Sequence, residues 1–296
     1  MTLPATEWHD PRFDALDTWD IPTVLAALWE GQMAAVAALG PALPALSRAV
    51  AAAAARLGDG GRLAYAGAGT SGRIAVQDGA ELAPTFDWPE ERLILLMAGG
   101  AGALLRSVEN AEDRDDLARA GIAANAVGER DVLVGVAASG ATPFTLACVT
   151  EARSRGALTI GLANSRGSLL DAAEYPVLIE TGAEAIAGST RMKAGTAQKA
   201  ALNLFSTALM VRLGRVYRGH MVDMLARNEK LRRRAERMLA DIAGAPPEQA
   251  RVALAAADGK VKLAVLILRG LDRASAEAVL ARHRGQLRPA LAELDG

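Results

Sequence analysis

Five short apolar runs, at residues 63–66, 93–97, 132–137, 158–162 and 177–179, recur about 20 to 40 residues apart with helix-patterned sequence between them. A strand that is apolar at nearly every position has no solvent face, so it must be covered on both sides. This pattern predicts parallel strands joined by crossover helices: an α/β fold, a three-layer sandwich around a five-stranded parallel sheet. Alanine abundance, with aromatics at only 4%, favours close-packed helices around that sheet. Ligands of such sheets gather beyond the carboxyl ends of the strands.

The flanks read differently. Asp20 and Pro22 mark a helix start, with helix expected over 24–39 and again over 45–57 after Pro41 and Pro44. The run Gly58-Asp59-Gly60-Gly61 ends it. Further on, a long helix is expected to open at Gly188 and reach about residue 213, with another over 221–238. Gly244-Ala-Pro-Pro247 reads as a boundary. The expected organisation is therefore an N-terminal helical segment (1–58), an α/β domain (59–244) and a small helical C-terminal domain (245–296) that needs a docking partner.

The first apolar run ends in GAGTSGR (67–73). Gly67, Gly69 and Gly72 let backbone N–H groups approach an anion at the start of a helix. The glycine spacing also fits a dinucleotide fingerprint, but that site needs an acid at the end of the second strand, and residues 93–97 run into Ala98-Gly99-Gly100. Thr70 and Ser71 can donate to phosphate oxygens, and Arg73 opposes the helix dipole unless an anion is bound. A turn that binds nothing is the remaining alternative. The third run ends similarly, in Ser139-Gly140-Ala141-Thr142-Pro143, so neighbouring strands would let two turns grip one phosphate; helix capping by Ser139 and Thr142 is the plainer reading. Arg191 and Lys193, expected in the first turn of the long helix, repeat the theme of cations at an N-terminus.

The formal net charge of −1 gives no general pull toward nucleic acid or anionic membranes. Mixed signs over 227–237 read as a solvated helix face. Cys148 is the only cysteine, lies in an apolar run and reads as core; with three histidines and no clustered ligands, neither a disulfide nor a metal site is expected. No export signal or bilayer-spanning run is expected either.

In this order the runs GAGTSGR, AELAPTF, AED, GVAASGATPF, GSTRMKAGTAQK and MVDMLARNEKL resemble the N-acetylmuramic acid 6-phosphate etherases of the sugar isomerase (SIS) superfamily. The resemblance spans about residues 60–231, and its 188–199 run is far more specific than the glycine turn. It implies a cytoplasmic homodimer with sites near the subunit interface, an SIS-type domain, a sugar phosphate substrate and no cofactor. It also implies a carbon–oxygen lyase of murein recycling, which cleaves the C3 D-lactyl ether to give N-acetylglucosamine 6-phosphate and D-lactate. Glu81 matches the proton donor and Glu112 the second acid–base residue. Gly69, Thr70, Ser71, Gly72, Ser139, Gly140 and Thr142 match the phosphate turns; Ser189, Thr190 and Arg191 lie near the sugar, and Lys262 matches a lysine that closes over the site. Without the resemblance, Glu109, Glu112, Asp113 and Asp116 look like a solvated helix face.

The implied chemistry is coherent. Ring opening makes the C2 proton acidic, a carboxylate removes it, and a protonated carboxyl donates to the departing ether oxygen; water then adds at C3 and a proton returns to C2. A glutamate, with an ordinary pKa of about 4.3, needs burial or a nearby negative charge to stay protonated near neutrality. The chain departs from the family pattern at Ala80, Leu82, Ala83 and Ala141, which bears on substrate detail. A sugar phosphate isomerase or a non-enzymatic sugar phosphate sensor would use the same sheet and turns.

Overall fold

A computed structural model describes residues 3–58, 60–224 and 228–295. The chain groups into two compact units, one of residues 3–80 and 91–206, the other of 81–90 and 207–295.

In the first unit, strands β1 (Leu63–Gly67), β2 (Leu93–Met97), β3 (Val132–Ala137), β4 (Leu158–Ala163) and β5 (Tyr175–Leu178) form one parallel sheet in the order β2-β1-β3-β4-β5. β1, β3 and β4 are buried at every residue, as their unbroken apolar runs require. Successive side chains point to opposite faces. Ala64, Ala66, Ile94 and Leu133 join a core with Ile122, Cys148, Val149 and Leu169, from helices α5 (Asp115–Ala124), α6 (Pro143–Ser154) and α7 (Ser168–Ala172). Tyr65 points the other way, donating to Asp78 of α3 (Gly69–Ala80) at 2.8 Å. Asp78 also accepts from Asn203 (2.8 Å) and Ser206 (3.1 Å) of α8 (Lys193–Arg212).

Two helices precede the sheet: α1 (Ile21–Ala37), capped by Asp20, and α2 (Leu43–Leu57), which buries Leu46, Ala49, Val50, Ala53 and Leu57 and packs on β3, β4 and β5. Residues 21–57 are long and apolar enough to cross a membrane by length and composition alone, with a mean hydropathy of 1.4 in the most apolar stretch. The 3-10 turn Gly40–Ala42 divides that run, and α2 uses its apolar face to cover the sheet.

The second unit holds the short helix α4 (Leu82–Phe86), the end of α8, and a hairpin of β6 (Val216–Tyr217) and β7 (His220–Met221). This hairpin replaces the expected beginning of a helix at residue 221. Arg218 (φ 48°) and Gly219 (φ 81°) are both left-handed, which suits a tight two-residue hairpin turn and stops a helix. Leu225, Ala226 and Arg227 of the MVDMLARNEKL run lie outside the described residues, as does Asp59. Helix α9 (Glu229–Ala243) starts where Asn228 accepts from Leu231 N–H at 2.9 Å. Helices α10 (Pro247–Ala256), α11 (Val261–Leu268), α12 (Arg273–Arg282) and α13 (Leu287–Asp295) complete the unit. Val222, Met238, Leu239, Leu254, Leu266 and Leu291 belong to one buried cluster, so the expected boundary at residue 244 falls inside a continuous core.

Candidate active site

The strand order reverses direction between β1 and β3, and this crevice is where sheets of the 2-1-3-4-5 type bind ligands. Both hydroxyl-bearing turns lie there. In the first, the backbone is packed to contact: a Cβ on Gly67 would fall 2.8 Å from the Gly72 backbone, and one on Gly72 would fall 2.6 Å from the Gly67 carbonyl oxygen. Gly69 has the opposite reason to be glycine. Its φ is +53° and nothing lies within 4 Å of where its Cβ would be, so α3 opens onto free space. Ser71 is buried and Thr70 half-buried at that opening.

The second turn is equally constrained. Gly140 is left-handed (φ 70°), and a Cβ there would meet the Ser165 carbonyl at 2.6 Å. Ser139 Oγ accepts from Ala141 N–H at 3.2 Å, an internal turn bond rather than a helix cap. Thr142 occupies the N-cap position of α6 without a side-chain capping bond. The capping account of these two hydroxyls therefore fails, which leaves them available to a ligand.

Ser189, Thr190 and Arg191 do not belong to the long helix, which starts at Lys193; they form the loop before it. The helix dipole is answered by a residue the sequence pattern did not single out. Glu184, 1% exposed, accepts from Lys193 N–H and Ala194 N–H, both at 2.9 Å. Its sequence position, nine residues ahead of the helix, gave no local capping signal. A Cβ on Gly195 would lie 3.3 Å from both the Thr190 carbonyl and Thr70 Cγ2, so this loop and the first turn meet across Gly195.

Glu112 lies on the 3-10 turn Ala111–Asp113, after left-handed Asn110 (φ 56°), and not on a helix face; α5 begins only at Asp115. It lines a cavity of about 260 Å3 together with Gly69, Arg73, Met97, Ser107 and Asn110. The structure thus brings Glu112 to the same cavity as the first glycine turn. Arg73 Nε donates to the carbonyls of Ala103 (3.0 Å) and Leu104 (3.3 Å), which fixes its guanidinium on the wall of the cavity. A cation, a glycine-rich helix start and an exposed carboxylate around one opening suit an anionic substrate with an acidic carbon-bound proton.

Comparison with known proteins gives the same direction. The glucokinase regulatory protein N-terminal SIS domain matches residues 45–153. An N-acetylmuramic acid 6-phosphate etherase of Deinococcus radiodurans is 47% identical over 296 residues, covering 99% of this chain and 97% of its own. The chain belongs to the N-acetylmuramic acid 6-phosphate etherase family. Etherases of Streptomyces coelicolor (46% over 291 residues, 97% of this chain and 93% of theirs) and Vibrio cholerae (40% over 293 residues, 98% of each) agree. A Bacteroides fragilis protein described as a phosphosugar isomerase of capsule formation shares the fold, with a TM-score of 0.50 at 18% identity over 65% of this chain and 90% of that one.

In this etherase-family chain the remaining expected residues lie in the second unit. Glu81 is exposed at the N-cap of α4 and makes no capping bond. Lys262, on α11, is 7% exposed; its Nζ donates to Asp223 and to the Gly285 carbonyl, each at 2.7 Å. Burial lowers its pKa, and Asp223 opposes that by favouring the ammonium. Cys148 is fully buried, and burial pushes its thiol up to about 12, so it is an inert core residue of this etherase-family fold. Among the described residues no group of three or more His, Cys, Asp or Glu is arranged to hold a metal.

Proposed function

We infer that this protein is an N-acetylmuramic acid 6-phosphate etherase: it cleaves the C3 D-lactyl ether by elimination and hydration, giving N-acetylglucosamine 6-phosphate and D-lactate in murein recycling. The observation that carries the reading is identity of 40 to 47% with etherases along nearly the whole chain. Geometry adds a candidate base that a non-enzymatic sensor does not need, and an isomerase would not specifically require the AED and GSTRMKAGTAQK runs. Glu112 stands on the cavity that opens at Gly69, within a family-matching AED turn.

In the proposed division of labour Gly69, Thr70, Ser71, Gly72, Ser139, Gly140 and Thr142 hold the phosphate, and Ser189, Thr190 and Arg191 contact the sugar. Glu112 removes the C2 proton of the open-chain aldehyde. Glu81 donates a proton to the ether oxygen as the C3–O bond breaks, leaving D-lactate and a C2–C3 unsaturated aldehyde. Water supplies hydroxyl to C3, and the proton returned to C2 completes the product. The departures at Ala80, Leu82, Ala83 and Ala141 leave both glutamates and all four turn hydroxyls intact.

The test is incubation with N-acetylmuramic acid 6-phosphate in 18O-water. D-Lactate release with label at the sugar C3 hydroxyl is expected; no lactate overturns the reading. Glu112→Gln should abolish exchange of the C2 proton with solvent, and exchange at the normal rate would remove Glu112 as the base.

We also propose a cytoplasmic homodimer with sites near the subunit interface. Support comes from an uncovered apolar stripe on α1: Ile21, Leu25, Trp29, Met33 and Val36 are each at least half exposed. At about 100° per residue these five fall within roughly a third of the helix circumference. A second copy would cover them, and Trp29→Glu should shift the mass in light scattering from dimer to monomer; an unchanged mass would exclude this face.

A further inference from the structure

Glu81, the proposed proton donor, is the one residue between α3 and α4. It occupies the N-cap position of a five-residue helix, too short to be stable alone, and α4 ends at Asp87 in the left-handed region (φ 51°). Glu81 follows directly on α3, and the other end of α4 is held by a side chain. Arg215 Nη1 donates to the carbonyls of Phe86 (2.6 Å) and Asp87 (2.9 Å), the orphan acceptors at the C-terminus of α4. The same guanidinium lies 5.1 Å from the ring centroid of buried Trp88, one residue further on. Leu82 and Phe86 are buried, so one face of α4 is packed while its N-cap stays exposed.

Arg215 is itself held. Asp223 lies 3.8 Å from its Nη1 and pairs with Lys262 at 2.7 Å, and Lys262 is tied to the Gly285 carbonyl. The ammonium is committed to two acceptors and almost wholly buried, which is poor geometry for closing over a substrate and good geometry for a strut.

We propose that Arg215, braced by Asp223 and Lys262, is the positioning residue for Glu81. It sets the direction of the acid by capping the far end of α4, and Lys262 serves it instead of the sugar. The proposal rests on the etherase reading for the role of Glu81, but it separates two half-reactions that the phosphate turns do not. Losing the strut should impair protonation of the leaving lactate, which needs Glu81, and spare C2 proton removal, which needs Glu112.

The experiment is run in deuterium oxide with N-acetylmuramic acid 6-phosphate, following D-lactate release and deuterium at C2 of recovered substrate. Arg215→Gln is expected to lower lactate release about 10- to 100-fold, the order that a 1 Å misplacement costs, with KM and C2 exchange within threefold of wild type. Arg215→Lys should recover part of the rate, and Lys262→Gln should show a smaller loss in the same direction. Equal loss of exchange and release in a variant that melts like wild type overturns the proposal, as does release within threefold of wild type. Backbone amide exchange over residues 82–88 gives a second reading independent of turnover: it should quicken in Arg215→Gln, or in Arg215→Lys if the glutamine variant does not fold, and unchanged exchange overturns the strut. Wild-type protein that releases no lactate fails the functional reading instead, a result visible before any variant is made.

Discussion

Gly72→Ala sets two effects of known size against each other. Gly72 lies inside α3, where alanine is better than glycine by about 1 kcal/mol, so an unobstructed site would be stabilised. The site is obstructed. The new methyl would sit 2.6 Å from the Gly67 carbonyl oxygen, 2.8 Å from its carbon and 2.6 Å from Met97 Sδ. The thioether can swing aside, but the Gly67 carbonyl accepts from Ala98 N–H at 3.0 Å and is part of the sheet. Reaching ordinary contact requires α3 to back away from β1 by several tenths of an ångström. Overpacking of this kind costs about 1–3 kcal/mol, and contact with backbone belongs at the upper end. The net expectation is a loss of about 1–2 kcal/mol, or roughly 2–8 °C in melting temperature. Because the helix start carries Thr70 and Ser71, KM for the sugar phosphate should rise as well. Gly69→Asn is the control: its φ of +53° suits asparagine and the space is open, so stability should stay within about 0.5 kcal/mol. Thermal or urea denaturation of the two variants decides, and a Gly72→Ala protein as stable as wild type would refute the packing argument.

Asp131 predicts an acid dependence. Burial raises its pKa, but Arg62, the Gly128 N–H and the Arg62 N–H outweigh burial and leave the carboxyl below its ordinary range. The stability it contributes is therefore complete above the unfolded value of about 3.9 and lost as pH falls through the lower folded value. The stability difference between wild type and Asp131→Asn should be flat near neutrality and shrink below about pH 4; a difference unchanged down to about pH 2 would count against it. Cys148 should be unreactive to a thiol reagent at pH 8 in the native protein and react once denatured, whereas rapid native labelling would contradict its burial. Removing the α8 cap with Glu184→Ala should cost about 1–3 kcal/mol, more than an exposed cap, and raise KM through the loop at Ser189 to Arg191; a melting temperature equal to wild type would show that the cap is dispensable.

The centre of the sheet was legible because burial on both faces forces apolar residues along β1, β3 and β4. The two turns were legible for a related reason: contact between backbones at Gly67 and Gly72, and at Gly140 and Ser165, demands glycine, and the hydroxyls stand next to it. Helix-period reasoning failed at residue 221 because charge and apolar spacing say nothing about the left-handed pair Arg218 and Gly219 that turns the hairpin before it. It also failed at Glu112. A 3-10 turn entered through left-handed Asn110 carries no periodicity, and a carboxylate at a cavity mouth has the same composition signal as one in solvent.

These differences have a common physical source. The groups proposed to grip the phosphate are built into turns at strand ends, where sheet hydrogen bonds and glycine contacts make them rigid without further help. Each proposed acid instead rides on a piece too short to be stable alone, Glu112 on a three-residue turn and Glu81 on a five-residue helix. Short pieces take their direction from whatever is attached to their ends: left-handed Asn110 for the first, α3 and Arg215 for the second. Anchorage and chemistry are therefore held by separate sets of contacts. Substitutions at the turns should appear mainly in KM, while substitutions at the tethers of the acids should appear mainly in kcat, although neither Asn110 nor Arg215 lies in the six runs that carry the resemblance.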